Sequence, residues 1–181
     1  MKGGGKDHIY DSETNLNQLT TNLALSWLPK INHGFFFRAE TFYAFADYID
    51  ALAKENGPTA LGPYGRKSLH ARSHGESFTA LFDSRYKGFF ILDEPEAALS
   101  PQRQIEFLAR LKSLLSAGQS QVIMATHSPI LMAYPNCQLL ELQDGVLRET
   151  AYQQTAHYKT YRRFLENPLL YLNPIFEETP E

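Results

Sequence analysis

The sequence lacks four features that would each define a class of protein. Its 181 residues contain one cysteine, Cys137, which excludes a disulfide framework within the chain. Apolar runs such as Phe89-Phe90-Ile91-Leu92 fall far short of the roughly 20 residues that cross a bilayer. The 17 basic and 20 acidic residues nearly balance, so the charge indicates no surface for nucleic acid. No signal peptide opens the chain, and we expect a soluble, cytoplasmic protein.

Short apolar runs alternate with amphipathic stretches, which predicts an α/β fold with a mainly parallel sheet flanked by helices. Strands are predicted at 34–38, 88–92 and 122–125 because each run is short and bounded by breakers. A helix with Phe42, Phe45, Ile49 and Leu52 on one face is predicted to stop at Gly57-Pro58, and a loop to follow over 57–72.

Two further helices are predicted from their capping residues. One begins at Ser73. The other spans 101–117, with Ser100 as N-cap, Pro101 in its first turn and Gly118 at its end. Its buried face is predicted from a stripe of three leucines, namely Leu108, Leu111 and Leu115.

The C-terminal part has a different pattern. The runs 138–143 and 146–149 are separated by Asp144-Gly145, which predicts a β-hairpin with a type I′ turn. A last helix is predicted over 155–165, ended by Asn167-Pro168. We interpret the chain as one domain, with a poorly ordered start at 1–33 that includes a short helix, a core at 34–135, and a hairpin and helix at 136–181.

The strongest chemical signal is a pair of acids, Asp93 and Glu94, directly after the apolar strand at 88–92. Open parallel sheets bind ligands at the carboxyl ends of their strands, where these acids would lie. In nucleotide hydrolysis the first acid would hold Mg²⁺ and the second would orient and deprotonate the attacking water. The alternative is that the two acids are solvated and merely end a strand.

The surrounding motifs favour the first interpretation. Two segments together resemble the second half of an ABC-class P-loop ATPase head. The first is Leu92-Asp93-Glu94-Pro95-Glu96-Ala97-Ala98-Leu99-Ser100-Pro101, and the second, after one helix and one strand, is Ala125-Thr126-His127-Ser128-Pro129. The resemblance implies ATP and Mg²⁺ as cofactors and Asp93 and Glu94 as the Walker B pair. It also implies that Leu99 and Ser100 lie at a dimer seam and that His127 is the switch histidine at the γ-phosphate. The alternative for His127 is a strand-end histidine that caps the turn at Ser128-Pro129.

The segment 71–78 resembles a divergent ABC signature motif. The resemblance implies that Ser73, Gly75 and Glu76 at a helix N-terminus bind the nucleotide of the opposite subunit, a site where backbone N–H groups attract anions. His74 replaces the usual first glycine and Glu76 the usual glutamine. Ser73 and Glu76 also have the spacing of a capping box, which is the purely structural alternative.

Details within these motifs separate branches of the family. Glu96 and Ser100-Pro101 stand where transporter subunits usually have other residues, and the pattern is similar to soluble SMC-like ATPases. Such relatives often carry a long coiled coil. Nothing before Ser73 is long or heptad-like enough for that arm, so we expect it to be missing or outside this sequence.

The Walker A motif Gly-x-x-x-x-Gly-Lys-Ser/Thr does not occur. Gly3-Gly4-Gly5-Lys6-Asp7 departs from it at the first glycine and at the hydroxyl position. We therefore expect a P-loop supplied outside this chain, or lost, and an inactive chain in isolation. The rival function is a non-catalytic interaction module that keeps the ATPase scaffold.

The missing P-loop strand would leave the edge at 121–126 open, and open edges favour pairing with other chains. The expected partners are a second copy of the chain, in a homodimer, or a missing N-terminal half of the head.

Two weaker signals remain. Arg38-Ala39-Glu40-Thr41 occupies the place of the family's Q-loop without a glutamine, and Glu40 either binds Mg²⁺ or begins a helix as a favourable acid. The predicted last helix has a small basic face, which is either a solvated surface or a contact for nucleic acid. Its residues are His157, Lys159, Arg162 and Arg163.

Overall fold

The computed structural model describes residues 33–84 and 87–176, together with residues 24 and 26. The expectations for the rest of the first 32 residues, including the short helix and the glycine-lysine segment at 3–7, lie outside the described residues. The chain divides into two compact units between Thr126 and His127. Among the described residues, no helix is both long and apolar enough to cross a membrane.

The first unit contains a three-stranded parallel sheet with helices between its strands, which confirms the predicted fold class. Its elements are β1 (Gly34–Arg38), α1 (Phe42–Asn56), α2 (His74–Asp83), β2 (Gly88–Asp93), α3 (Pro101–Ser116) and β3 (Ser120–Ala125). The strand order is β1-β2-β3. In this register Arg38 lies opposite Asp93, and Asp93 lies opposite Ala125, so the three strands end together.

The helix boundaries that the sequence predicts in this unit agree with the structure. α1 ends before Gly57, whose φ of +84° ordinary residues avoid. The Ser100 hydroxyl accepts a hydrogen bond from the Arg103 backbone N–H, and Pro101 occupies the first turn of α3. Gly118, with a φ of +66°, follows the end of that helix.

Aromatic side chains form the centre of the first unit. Phe78 is 1% exposed, and its ring lies edge-on to Phe37 at 4.7 Å and to Phe107 at 5.0 Å, measured between ring centroids. Phe82 and Phe90 extend the same cluster. The core therefore joins residues of β1, β2, α2 and α3.

The predicted buried face of α3 was wrong by about one position. Of the leucine stripe, only Leu111 is buried, whereas Leu108 and Leu115 are half-buried. The helix is turned so that Phe107 enters the aromatic cluster, with Leu114 and Gln104 on the same face. Gln104 is accepted there because its side-chain Nε2 donates to the Leu99 carbonyl at 3.0 Å.

The segment predicted as a loop over 57–72 contains a 3-10 helix at Pro58–Tyr64. Proline is favourable at the start of such a turn, and Gly65 ends it with a φ of +73°. Tyr64 is buried against the Phe45 ring, at 6.2 Å between centroids. This aromatic contact holds the segment in a regular conformation, which its glycines and prolines did not predict.

The described part of the second unit contains two strands and three α-helices, together with the 3-10 helix Tyr152–Gln154. Its elements are α4 (Pro129–Met132), β4 (Leu140–Gln143), β5 (Val146–Glu149), α5 (Ala156–Glu166) and α6 (Leu169–Phe176). β4 and β5 pair antiparallel, and Asp144 and Gly145 have φ values of +50° and +77°. Both values suit a type I′ turn, so the hairpin prediction is confirmed.

The last predicted helix is also confirmed, with Thr155 as the N-cap of α5 and Asn167 as its C-cap. The sequence did not predict α6. Asn167-Pro168 was predicted to end the helix at 155–165, and a new helix follows it because the first turn of a helix needs no N–H from proline.

Candidate functional site

The carboxyl ends of the three parallel strands meet at one edge of the sheet. Arg38 ends β1, Asp93 ends β2 and Ala125 ends β3, each opposite its neighbour. Glu94 follows Asp93 directly, and Thr126 follows Ala125. This edge is where open parallel sheets bind ligands, and the sequence had placed the acid pair there.

Asp93 is held by an arginine from the adjacent strand. The Arg38 Nε donates to Asp93 Oδ2 at 2.7 Å, and the two side chains are 41% and 29% exposed. The hydrogen bond and charge of Asp93 raise the pKa of Arg38, and the charges of Glu40 and Glu94 add to the effect. The hydrogen bond fixes one oxygen of the carboxylate and leaves further lone pairs that could bind a cation.

Glu94 has an unusual backbone conformation. Its φ of +49° and ψ of +53° lie in the left-handed region, which costs a residue other than glycine about 1–3 kcal/mol. Its backbone N–H donates to the Ala125 carbonyl at 2.9 Å, and the residue is exposed. The following Pro95 is buried and starts the 3-10 helix Pro95–Ala98. Strained residues of this kind cluster at functional sites, and no sequence pattern predicted this one.

A second carboxylate joins the turn after β2 to the end of β3. The Thr126 hydroxyl donates to Glu96 Oε2 at 2.7 Å. This hydrogen bond fixes the 3-10 helix at 95–98 against the residue just before the histidine motif. Sequence reasoning used Glu96 only to distinguish branches of a family and missed this contact, because a hydrogen bond over 30 positions leaves no local pattern.

Ser73 and Glu76 form the capping box at the start of α2. The Glu76 carboxylate accepts from the Ser73 backbone N–H at 2.9 Å and from its hydroxyl at 2.8 Å, and the Glu76 N–H donates to the Ser73 oxygen at 3.4 Å. The backbone and hydroxyl hydrogen bonds from Ser73 lower the pKa of Glu76. The capping box predicted as the structural alternative is therefore present.

Gly75 brings this helix start close to the segment that precedes α3. A Cβ atom at Gly75 would lie 3.4 Å from the Ala98 carbonyl oxygen and 3.7 Å from Leu99 Cδ2. Leu99 is only 6% exposed, whereas Ser100 is exposed. Of the two residues predicted at a dimer seam, Ser100 is the one that lies on the surface of this chain.

His127 begins the second unit and contacts another histidine. Its Nδ1 lies 3.1 Å from His157 Nε2, with the ring centroids 5.3 Å apart. The turn that follows is capped by Ser128, whose oxygen accepts from the N–H groups of Ile130 and Leu131. The side-chain cap of the Ser128-Pro129 turn is therefore the Ser128 hydroxyl.

The predicted residues therefore fall into three groups. Asp93 and Glu94 share the sheet edge with Arg38, and Ser73, Gly75 and Glu76 share the start of α2 within the same unit. His127 belongs to the second unit. Sequence reasoning missed Arg38 and His157 as contacts of site residues. Arg38 could have been recognised as a neighbour of the acid pair, because it is the last residue of the predicted strand 34–38 and parallel strands in register place their last residues side by side.

The described residues contain no group of three or more His, Cys, Asp or Glu side chains that would hold a metal ion. The donor set at the edge instead suits Mg²⁺ bound with phosphate, because Mg²⁺ usually takes one or two carboxylates and fills its coordination with water and phosphate oxygens. Asp93 fits such a role chemically. Glu40 is exposed in the short 3-10 helix Ala39–Thr41 and contributes charge near Arg38.

Comparison with known proteins gives one match. A family model described as "AAA domain, putative AbiEii toxin, Type IV TA system" matches residues 78–133, under a third of the chain. The matched segment contains β2, α3 and β3 and includes Asp93, Glu94 and His127. It indicates a P-loop NTPase-like AAA domain and a nucleotide-binding, ATPase-type function, of a class that generally uses ATP and Mg²⁺. No curated protein and no solved structure matches the chain.

Proposed function

We propose that this chain is part of an ABC-class, SMC-like ATPase head that binds and hydrolyses ATP as a dimer. The observation that carries the proposal is the sheet edge formed by Arg38, Asp93 and Glu94. It combines an ion-paired carboxylate at a strand end with an exposed glutamate held in a strained conformation. The similarity of residues 78–133 to an AAA domain supports the nucleotide-binding part of the proposal.

In this proposal Asp93 holds Mg²⁺ together with the phosphates of ATP. Mg²⁺ would neutralise charge on the phosphate oxygens, and the protein must present the carboxylate to it. Arg38 bonds to Asp93 Oδ2, so its guanidinium would orient the carboxylate that ligates the metal. A phosphate oxygen would be a further partner for a guanidinium at this edge, since arginine binds phosphate and carboxylate with the same donor geometry.

Glu94 acts as the general base in the same proposal. A carboxylate directly after the metal-binding aspartate can orient a water molecule and accept its proton as the bond to the γ-phosphate forms. The left-handed backbone of Glu94 turns the chain sharply at this residue, and the hydrogen bond to Ala125 holds that turn. His127 is proposed, from its motif alone, to contact the γ-phosphate.

The dimer contacts are proposed to come from α2 and the start of α3. Ser73, Gly75 and Glu76 would bind the nucleotide held by the opposite subunit, because a helix start attracts anions. Leu99 and Ser100 would line the seam. The close approach of Gly75 to Ala98 and Leu99 supports this grouping, since it places both motifs in one packed region of the first unit.

The exposure of β3 supports association of the sheet with additional polypeptide. Within the described residues, β3 pairs with β2 alone, and Ile123 in its middle is 52% exposed. The 181 residues contain no Walker A sequence, so we propose that the phosphate-wrapping loop comes from outside this chain or has been lost. The same absence favours the second candidate function, a non-catalytic interaction module that retains the scaffold.

Glu94→Gln distinguishes the two functions in a head that carries a P-loop. The glutamine keeps the size and polarity of the side chain but cannot accept the proton, so ATP binding should persist while turnover falls by about 10²–10⁴-fold. ATP binding is measured by fluorescence titration and turnover by phosphate release. Size-exclusion chromatography with ATP should show more dimer in the variant, because unhydrolysed ATP keeps the two heads joined.

Glu55→Gln is the matched control, since Glu55 is an exposed glutamate in α1 of the same unit. It should leave binding and turnover unchanged. An unaltered turnover in the Glu94→Gln head would show that Glu94 is not the base. Absence of ATP binding in the unmodified head would favour the interaction module.

A further inference from the structure

Two imidazole rings face each other in the second unit. Nδ1 of His127 and Nε2 of His157 are 3.1 Å apart, and the ring planes are inclined by 36°. The distance is that of a hydrogen bond between nitrogens, and such a bond needs one hydrogen between the two atoms. Two lone pairs would repel each other, and two N–H groups would collide. One ring is therefore the donor and the other the acceptor.

His157 is held in place by the start of α5. It is the second residue of this helix, after the N-cap Thr155. Thr155 is 2% exposed and donates to the Tyr152 carbonyl at 2.8 Å, and its oxygen accepts from the Tyr158 N–H at 3.1 Å. The Ala156 N–H donates to Glu141 Oε1 at 3.0 Å, which joins the helix start to β4. The backbone that carries His157 is thus fixed on both sides.

The direction of the hydrogen bond follows from the helix that carries His157. The first turn of a helix presents backbone N–H groups and the positive end of the helix dipole. That environment favours a lone pair over an N–H on Nδ1, the ring nitrogen nearer the backbone. In a neutral ring with the lone pair on Nδ1, the hydrogen is on Nε2. His157 Nε2 is the atom that faces His127.

We infer that His157 is a positioning residue for His127, donating its Nε2–H to Nδ1 of His127. A neutral His127 ring that accepts at Nδ1 carries its own hydrogen on Nε2. His157 thereby fixes both the orientation of the ring and the nitrogen that can donate. This rests on the proposed function, because a contact of His127 with a γ-phosphate oxygen requires an N–H at the nitrogen that reaches it.

The inference is tested by nitrogen NMR on the full chain labelled in its histidine rings, at a pH where the imidazoles are neutral and without nucleotide. The expected spectrum has His157 Nε2 as a protonated, pyrrole-type nitrogen and His127 Nδ1 as an unprotonated, pyridine-type nitrogen. A scalar coupling across the N–H···N bond should connect the two. The reverse assignment, with Nδ1 of His127 protonated, would overturn the inference, as would the absence of any coupling.

Two variants separate positioning from a general structural role. His157→Leu should shift His127 Nδ1 to the position of a solvated imidazole, because the donor is lost. His157→Gln carries an amide N–H and should keep the hydrogen-bonded shift. His70→Gln is the matched control, since His70 pairs with Asp47 in the first unit at 2.9 Å, and it should leave His127 unchanged. A His127 signal that is the same in both His157 variants would contradict the inference.

These spectra are independent of ATP. Turnover measured with Glu94→Gln decides the proposed function, and the coupling between the two rings decides the role of His157. If the coupling is observed but the head never hydrolyses ATP, the hydrogen bond between His157 and His127 stands and the proposed ATPase function fails. If the head hydrolyses ATP but the coupling is absent, the ATPase function stands and the positioning role of His157 fails.

Discussion

The two units differ in how their apolar side chains are used. In the first unit large aromatic residues are almost fully buried, among them Phe78 at 1% and Phe90 at 0% exposure. In the second unit Leu142, Leu165 and Phe176 are 68–76% exposed. The apolar side chains that are buried in its described part are few, Leu131 and Met132.

This difference shows two ways of placing a functional side chain. Arg38 and Asp93 are the last residues of strands whose preceding residues, Phe37 and Leu92, are 2% and 1% exposed. Packing therefore fixes the ends of these strands. His127 and His157 instead depend on local hydrogen bonds, namely the Ser128 and Thr155 caps and the contact between the rings. We therefore expect packing to contribute most of the stability of the first unit, and hydrogen bonds to set the positions of the functional side chains in the second.

The comparison is tested most strongly by removing one ring from each unit. Phe78→Ala deletes a buried ring that contacts Phe37, Phe82 and Phe107, and should lower the free energy of unfolding by about 3–5 kcal/mol. Phe176→Ala removes a ring that is 76% exposed and should change it by about 0.5 kcal/mol or less. Urea unfolding followed by circular dichroism measures both. Equal losses in the two variants would show that the exposed ring is packed in solution.

A smaller effect is expected when a methyl group is added to one glycine in each unit. Gly88 has a φ of +126°, and a Cβ there would collide with the His33 carbonyl. Gly88→Ala should therefore cost about 1–3 kcal/mol for overpacking in addition to the backbone strain. Gly145 has a φ of +77° with nothing within 4 Å of the added Cβ, so Gly145→Ala should cost only about 1–2 kcal/mol for its dihedral angles. Thermal unfolding of both variants gives the order, and a larger loss for Gly145→Ala would contradict it.

The sequence predicted features that depend on a few neighbouring residues. Ser100, Pro101 and Gly118 delimit α3, and Asp144-Gly145 defines the hairpin, because caps and turns are local chemistry. The order of strands and helices predicted the parallel sheet in the same way. The acid pair at the end of β2 could be placed at the sheet edge because its strand was recognised.

Features that depend on distant residues were not predicted. The rotation of α3 about its axis is set by Phe107 packing on Phe78 and Phe82, and periodicity alone could not choose between neighbouring stripes. The Glu96–Thr126 and His127–His157 contacts each join residues 30 positions apart. The positive φ of Glu94 is imposed by the surrounding turn, since glutamate has no preference for that region.

The smallest expected effect concerns Glu76, a site residue of the first unit that hydrogen bonds hold in place. Bonds from the Ser73 N–H and hydroxyl lower the pKa of Glu76 from its ordinary value of 4.5, so the ionised carboxylate stabilises the fold. A group with a lowered pKa in the folded state contributes stability above its unfolded pKa, and loses it as the pH falls through the folded value. The stability difference between the unmodified chain and Glu76→Gln should therefore be present at pH 7 and shrink below pH 4.5. Urea unfolding across this range measures it, with Glu55→Gln as the control on an exposed glutamate. A difference that stays constant with pH would mean that Glu76 caps α2 through shape and hydrogen-bond geometry rather than through its charge.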